Sequence, residues 1–156
     1  EHNAMYLNQS GKDFLNAGFL LGSAFEYDSR SVLATDMDEN GTQDLIVVEY
    51  NVKTMSQRLH IYKNTIDSDN SWIGINLEDN KITSPIGSVI TAKSKSRNWS
   101  KIIVNGDGFT SQSPSRAHFG LGKIKEISEI EVVWPNGQKT TISNPKINQY
   151  HQVSVN

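Results

Sequence analysis

The chain has 156 residues, of which 36% are apolar and 21% charged, a composition typical of one ordinary soluble domain or two small ones. The formal net charge of −2 gives no electrostatic reason to expect a nucleic-acid partner, and no apolar run approaches the ~20 residues of a transmembrane helix. Cysteine is absent, which excludes disulfides, thiolate zinc sites and a cysteine nucleophile. Because the chain begins at Glu1 and not at a methionine, we expect it to be a processed or partial product of a longer protein.

The first 66 residues predict short β-strands. Residues 4–8 and the residues leading to Phe14 are strand-like on either side of a Ser-Gly turn, and residues 31–34 and 45–48 predict two further strands. Met-Tyr-Leu-Asn at residues 5–8 is followed 56 positions later by Ile-Tyr-Lys-Asn at residues 61–64. Repeats of about 40–50 residues or slightly more are typical of the blades of a β-propeller.

The loop at residues 36–44 has the composition of a calcium site. Side chains with oxygen atoms occupy its first, third, fifth and ninth positions, and Gly41 at the sixth permits a sharp turn. Ca²⁺ takes six to eight oxygen ligands at roughly 2.3–2.6 Å, so a short loop can surround it with carboxylates. The predicted ligands are Asp36, Asp38, Asn40, Asp44 and the backbone carbonyl of Thr42. A polar turn without a metal is the alternative, because Asp, Asn and Gly favour turns in any case.

An EF-hand does not explain this loop, since it would need a glutamate at position twelve and a helix on each side. Position twelve is Val47, within a β-branched run that predicts a buried strand. The loop is therefore predicted to lie between two strands, and in this it resembles the calcium loops of FG-GAP-type (VCBS-like) propeller repeats. The literal Phe-Gly…Gly-Ala-Pro signature of the integrin-type repeat is absent.

The resemblance implies a four-stranded propeller blade that carries Ca²⁺. One blade cannot close a propeller of four to eight blades, so its partners would be the remaining blades of a longer chain or another protein. Loops that bind calcium at roughly 10⁻⁴–10⁻³ M are useful where calcium is plentiful. We therefore expect the protein to be extracellular, on the cell surface or periplasmic.

Residues 67–156 predict a second domain, which a polar stretch at residues 65–71 separates from the first domain of residues 1–66. Strands are predicted at residues 72–77, 88–93, 99–104, 127–134, 138–142 and 151–155. A tight hairpin at Pro135-Asn136-Gly137 joins two of them. The expected fold class is all-β: one or more partial propeller blades with a calcium-binding loop, followed by a small β-sandwich or barrel.

Three fragments of the second half together resemble the ASPIC/UnbV domain. They are Pro85-Ile86-Gly87-Ser88-Val89, then Ser111-Gln112 with His118-Phe119-Gly120-Leu121-Gly122, and Val132-Val133-Trp134-Pro135-Asn136-Gly137. Ser88 stands where that family more often has alanine. The resemblance covers roughly residues 70–155 and implies a module that follows FG-GAP-type repeats at the C-terminal end of secreted or surface proteins. That family is known mainly as an extracellular module without an established catalytic role, so the resemblance implies no particular reaction.

A hydrolase triad and a histidine metal site are two further alternatives to the calcium module. Asp107, Ser111 or Ser113, and His118 lie within twelve residues and suggest a hydrolase, but the chain has no Gly-x-Ser-x-Gly elbow. His118 precedes an aromatic residue and two glycines, which predicts a packed turn whose imidazole bonds a backbone carbonyl. A metal site made by His2, His60, His118 and His151 has no ligand-like spacing to support it.

A carbohydrate-binding module is the main alternative function. Trp72, Trp99 and Trp134 offer flat rings for a sugar, with Arg97 and Asn98 as polar companions, although tryptophan in short strands more often fills a core. The possible glycan ligand would then contact Trp99, Arg97 and Trp134. The sequence favours instead a non-catalytic, calcium-binding β module that serves protein assembly or adhesion.

Overall fold

The structure is a computed structural model that describes residues 2–66, 68–79 and 81–155. These residues form twelve β-strands and no helix, so the all-β class predicted from the sequence is confirmed. None of the described segments is a helix that could cross a membrane. The strands are β1 (Tyr6–Asn8), β2 (Phe14–Asn16), β3 (Asp28–Thr35), β4 (Asp44–Asn51), β5 (Ser56–Tyr62), β6 (Ser71–Leu77), β7 (Val89–Lys93), β8 (Asn98–Ile102), β9 (Arg116–Gly122), β10 (Glu129–Val133), β11 (Lys139–Ser143) and β12 (Tyr150–Val153).

The N-terminal half contains a short hairpin and a three-stranded sheet. Strands β1 and β2 pair with each other, and β3, β4 and β5 form an antiparallel meander with β4 in the centre. The described residues thus show three paired strands here and not the four of the implied blade. The chain leaves this sheet after β5 for β6, which pairs with β9 and β12 instead of adding a fourth strand. The propeller assignment stays a prediction.

One face of the β3–β4–β5 sheet is apolar and carries no charged side chain along its centre. The register places Leu33 opposite Ile46, Ile46 opposite Ile61, and Val48 opposite Leu59, so these five side chains point to the same face. Leu59 and Ile61 are 59% and 57% exposed. This face is uncovered at its β5 side.

The C-terminal half contains two sheets that share one core. Strand β12 runs parallel to β6, which also pairs antiparallel with β9, and the second sheet has the antiparallel order β11-β10-β7-β8. Alternate residues of both sheets point inward because side chains alternate along a strand, and Ile73, Ile75, Ile90, Ile130 and Val132 are fully buried together. The arrangement is an open two-sheet sandwich, and the described strands close no barrel.

His118 lies in strand β9, so the packed turn predicted around it from the sequence is wrong. Arg116–Gly122 pairs with β6 in regular antiparallel register apart from one irregularity at Ser71. Gly120 and Gly122 disguise the segment, because glycine lowers strand propensity. Ala117, Phe119 and Leu121 nevertheless alternate into the core, which is the signal that identifies the strand.

Candidate metal centre

The acidic loop, residues 36–44, connects the paired ends of two strands. Thr35 at the end of β3 lies opposite Asp44 at the start of β4, so the loop has a strand on each side and Val47 lies within β4. The strand–loop–strand arrangement expected from the sequence is thus present. The pairing brings the first and last acidic residues of the loop, Asp36 and Asp44, to its base.

Three carboxylates converge in this loop. Asp36, Asp38 and Asp44 each offer an oxygen atom, and these atoms lie within 4.8 Å of one another. Asp36 and Asp44 are 0% and 1% exposed, whereas Asp38 faces solvent. Two oxygens bound to one Ca²⁺ at roughly 2.3–2.6 Å lie at most about 5 Å apart, so the observed separations suit a shared cation. Without a cation, neighbouring buried carboxylates repel each other.

Backbone N–H groups orient the two buried carboxylates. Asn40 N donates to Asp36 Oδ1 at 3.0 Å and Gly41 N to Asp36 Oδ2 at 2.8 Å. Met37 N donates to Asp44 Oδ2 at 3.0 Å, and Asn64 N donates to Asp44 Oδ1 at 2.8 Å. The buried aspartates are therefore fixed in direction by the main chain.

Asn40 and Thr42, the other two predicted ligands, bond to each other. Asn40 Oδ1 accepts hydrogen bonds from Thr42 N at 2.8 Å and from Thr42 Oγ1 at 2.6 Å. Thr42 Oγ1 also lies 3.2 Å from the carbonyl oxygen of Asn64. These bonds hold the second half of the loop in a tight turn around Gly41, whose φ is +94°. Metal ligation by the Asn40 side chain and the Thr42 carbonyl stays a prediction.

Lys63 brings a positive charge to the open side of the loop. Its ammonium group pairs with the Asp38 carboxylate. This hydrogen bond and the opposite charge lower the pKa of Asp38 and raise the pKa of Lys63. The Lys63 ammonium group therefore balances part of the negative charge of the acidic loop.

Two residues of the β12–β6–β9 sheet, which we call the C-terminal sheet, contact the acidic loop, and no sequence pattern points to either. Tyr150 Oη, at the start of β12, donates to Asp36 Oδ2 at 3.1 Å. Arg116, at the start of β9, donates from Nη1 to the Asp36 carbonyl oxygen at 2.9 Å and from Nη2 to Glu39 Oε1 at 3.1 Å. Arg116 Cζ lies 4.2 Å from the Tyr150 ring centroid, a cation–π geometry.

Trp72 and His118 complete this contact. Trp72 packs against the Gly41 backbone so closely that a Cβ atom on Gly41 would lie 2.0 Å from Trp72 Nε1. The His118 ring stacks on Trp72 with centroids 5.3 Å apart, and His118 Nδ1 lies 3.0 Å from Tyr150 Oη. Burial raises the pKa of Tyr150, and the nearby Asp36 charge adds to this; burial also lowers the pKa of His118.

The tryptophan platform expected from the sequence is not formed as predicted. Trp134 is 1% exposed and donates its indole N–H to Thr140 Oγ1 at 2.9 Å, so its prediction as a glycan contact is wrong. Its position continues the inward alternation of β10, which is why it fills the core. Trp99 packs partly against the same core, and Arg97 Cζ lies 5.2 Å from its ring centroid. A glycan role for Trp99 and Arg97 stays a prediction.

The residues predicted for a hydrolase triad or a histidine metal site bond to other groups instead. His118 bonds the Tyr150 hydroxyl, not a serine or a backbone carbonyl, and Ser111 Oγ donates to the Val32 carbonyl at 3.4 Å. The Asp107 carboxylate accepts hydrogen bonds from Ser113, which lower its pKa. His2 bonds Phe25 O, His60 bonds Glu49 and His151 bonds Lys146 O. The four histidines therefore occupy four separate environments.

Comparison with known proteins adds two findings. The sequence profile of the family described as "ASPIC and UnbV" matches residues 78–156. Cartilage acidic protein 1 of Xenopus tropicalis is 34% identical over 125 residues, and that of Homo sapiens is 32% identical over 120 residues. These matches cover 78% and 75% of this chain but 19% and 18% of the two relatives. The chain thus spans about a fifth of the length of the curated relatives it matches.

Proposed function

The chain belongs to the ASPIC and UnbV family, and we propose that it is a non-catalytic extracellular module that binds Ca²⁺ in its acidic loop and serves protein assembly or adhesion. The observation that carries the proposal is the convergence of three carboxylates, two of them buried, within 4.8 Å. The loop also keeps the spacing of the FG-GAP-type calcium repeats that it resembles. In this proposal the family domain follows a calcium-binding blade.

The donor set favours Ca²⁺ over other common cations. All the candidate ligands are oxygen atoms, which suit hard cations, whereas zinc prefers nitrogen and sulfur. Ca²⁺ accepts a flexible oxygen shell, while Mg²⁺ demands near-ideal octahedral geometry at about 2.0–2.1 Å. Asp36, Asp38 and Asp44 would hold the ion, and Asn40 and the Thr42 carbonyl would supply further oxygens. The bound charge would offset the repulsion between the buried carboxylates and fix the loop at the start of β4.

An extracellular location agrees with this chemistry. Loops of extracellular modules bind calcium at roughly 10⁻⁴–10⁻³ M, which is useful only where calcium is abundant. The relatives that match are named for cartilage and for their acidity. We therefore place the module outside the cytosol.

The apolar face of the β3–β4–β5 sheet supports a role in assembly. Leu59 and Ile61 are more than half exposed and continue the apolar surface formed by Leu33, Ile46 and Val48. A contiguous apolar sheet face with no charge along its centre is the kind of surface that packs against another sheet. A further propeller blade or another protein partner would cover it.

Thermal unfolding with and without calcium tests the proposal. At 10 mM Ca²⁺, a site with a Kd of roughly 10⁻⁴–10⁻³ M should add about 1.4–2.7 kcal/mol to the free energy of unfolding, or several degrees in Tm. Asp38→Ala should abolish the calcium-dependent increase. Asp79→Ala, which removes an exposed carboxylate outside the loop, should retain it. A wild-type Tm that is the same in EDTA and in Ca²⁺ would count against calcium binding.

A further inference from the structure

We propose that Tyr150 and Arg116 are positioning residues for the calcium loop, so that cation binding and the docking of the loop on the C-terminal sheet are thermodynamically coupled. This inference rests on the proposed calcium binding and goes beyond it. It assigns part of the site to β9 and β12, which lie in the other half of the chain. The loop would then act as a joint between the two halves, strengthened by the ion.

The Tyr150 hydroxyl acts on a carboxylate of the cluster directly. Its bond to Asp36 Oδ2 adds a second donor to the oxygen that Gly41 N already contacts, whereas Oδ1 accepts from Asn40 N. Asp36 is fully buried, so no solvent replaces a lost donor without cost. The hydroxyl thereby holds the carboxylate in one orientation before any ion arrives. Partners of this kind, which orient a metal ligand, commonly change metal affinity by roughly 10–100-fold.

The Tyr150 ring is itself held in place. A Cβ atom on Gly74, in the centre of β6, would lie 2.0 Å from Tyr150 Cδ1, so the ring lies directly on the β6 backbone. Arg116 covers the ring, and His118 Nδ1 contacts its hydroxyl. The hydroxyl position is therefore set by the C-terminal sheet and not by the loop.

Arg116 ties the loop backbone to the same sheet. Its Nε donates to Asn76 Oδ1 at 2.6 Å, while its two terminal nitrogens reach the Asp36 carbonyl and Glu39. Glu39 has a positive φ of 57°, which a non-glycine residue adopts at some cost. Three donors of one guanidinium thus bridge β6 and the first turn of the loop. The planar, fixed geometry of arginine makes it suited to this bridging role.

Calorimetric titration of the whole chain with CaCl₂ tests the coupling. Tyr150→Phe removes only the hydroxyl, and we expect its Kd for Ca²⁺ to rise about tenfold, at the low end of the range for such partners. Tyr62→Phe is the matched control, because its hydroxyl donates to the Gly22 carbonyl outside the loop; its Kd should equal the wild-type value. Arg116→Gln should raise the Kd for Ca²⁺ by a similar factor. Arg97→Gln is its control, because Arg97 contacts Trp99 outside the loop, and its Kd should equal the wild-type value.

Coupling must also be reciprocal, which a merely structural role would not require. In the wild type, calcium should slow amide hydrogen exchange in β9 and β12. In Asp38→Ala that effect should vanish, although Asp38 pairs with Lys63 and leaves the Tyr150 and Arg116 contacts untouched. A wild type that binds calcium with Tyr150→Phe and Arg116→Gln at wild-type Kd would overturn the coupling alone. A flat wild-type titration would overturn both calcium binding and the coupling.

Discussion

The ammonium group of Lys63 pairs with the carboxylate of Asp38, the one solvent-facing aspartate of the acidic cluster. Lys63 follows directly after β5, whose pairing with β4 places it beside the loop. A lysine in this place satisfies a carboxylate of the ion-free loop and competes with an incoming cation. If the loop binds calcium as proposed, Lys63 is therefore expected to limit its affinity for the ion.

Lys63→Gln should raise the affinity for Ca²⁺ by roughly three- to tenfold at low ionic strength, because it removes one positive charge close to a divalent ion. The gain should shrink in 1 M salt, where the Debye length falls to about 3 Å. Lys139→Gln is a matched control, since Lys139 is similarly exposed and pairs with Glu131 outside the loop. Titration calorimetry at two salt concentrations measures both effects. Equal affinity of Lys63→Gln and wild type at low salt would contradict the prediction.

Gly41→Ala should destabilise the protein more than an alanine at another glycine with a similar positive φ. Gly41 and Gly137 have φ values of +94° and +82°, which cost an L-residue about 1–2 kcal/mol. An added Cβ on Gly137 meets open space, whereas on Gly41 it would overlap the Trp72 indole. Overpacking of this kind typically adds about 1–3 kcal/mol. Urea unfolding of both variants isolates the loop contact, and equal losses would refute it.

Ser88→Ala should stabilise the sandwich by about 1 kcal/mol. Ser88 is fully buried just before β7, and within the described part of the chain its Oγ meets no hydrogen-bond partner. A buried polar group without a partner carries an uncompensated desolvation cost, which alanine removes. Ser128→Ala is the contrasting variant, because Ser128 Oγ donates to the Lys93 carbonyl at 3.0 Å. A lower urea midpoint for Ser88→Ala than for wild type would oppose this assignment.

Local patterns predicted the local features well. The acidic loop and its flanking strands follow from the spacing of oxygen side chains and one glycine within nine residues. The core strand β6 follows from alternation at Ile73, Ile75 and Leu77. The same alternation at Ile130 and Val132, extended by two residues, would have placed Trp134 in the core. Trp134 would then not have been predicted to contact a glycan.

The part of the site that the sequence could not predict consists of contacts between residues far apart in the chain. Tyr150 and Asp36 are 114 residues apart, and Arg116 and Asp36 are 80 apart. No spacing or period links such positions, because their proximity depends on how the N-terminal sheet lies on the C-terminal one. Before the fold is known, Tyr150 and Arg116 are an ordinary tyrosine and arginine near strands. Only the structure gives them a role beside the loop.

His118 should make the ion-free protein less stable in mild acid. The Tyr150 hydroxyl has one proton and donates it to Asp36, so His118 Nδ1 is the donor in the His118–Tyr150 bond. Burial lowers the pKa of His118 below its ordinary value of 6.5; Asp36 opposes this shift, while Lys101 and Arg116 reinforce it. As the pH falls below about 6.5, the unfolded chain takes up a proton that the folded chain resists. Stability is therefore complete above this pH and declines below it.

Urea unfolding in EDTA at pH 7.5 and pH 5.5 measures this decline. His118→Asn retains a donor for Tyr150 but has no group that titrates in this range, so it should lose less stability between the two pH values than wild type. All other titrating groups are common to both proteins, so the difference isolates His118. His151→Asn is the control, because the ring of His151 bonds the Lys146 carbonyl at the surface and lies outside the loop contact. If His118→Asn lost as much stability as wild type, burial of a neutral His118 beside Tyr150 would be ruled out as a source of acid sensitivity.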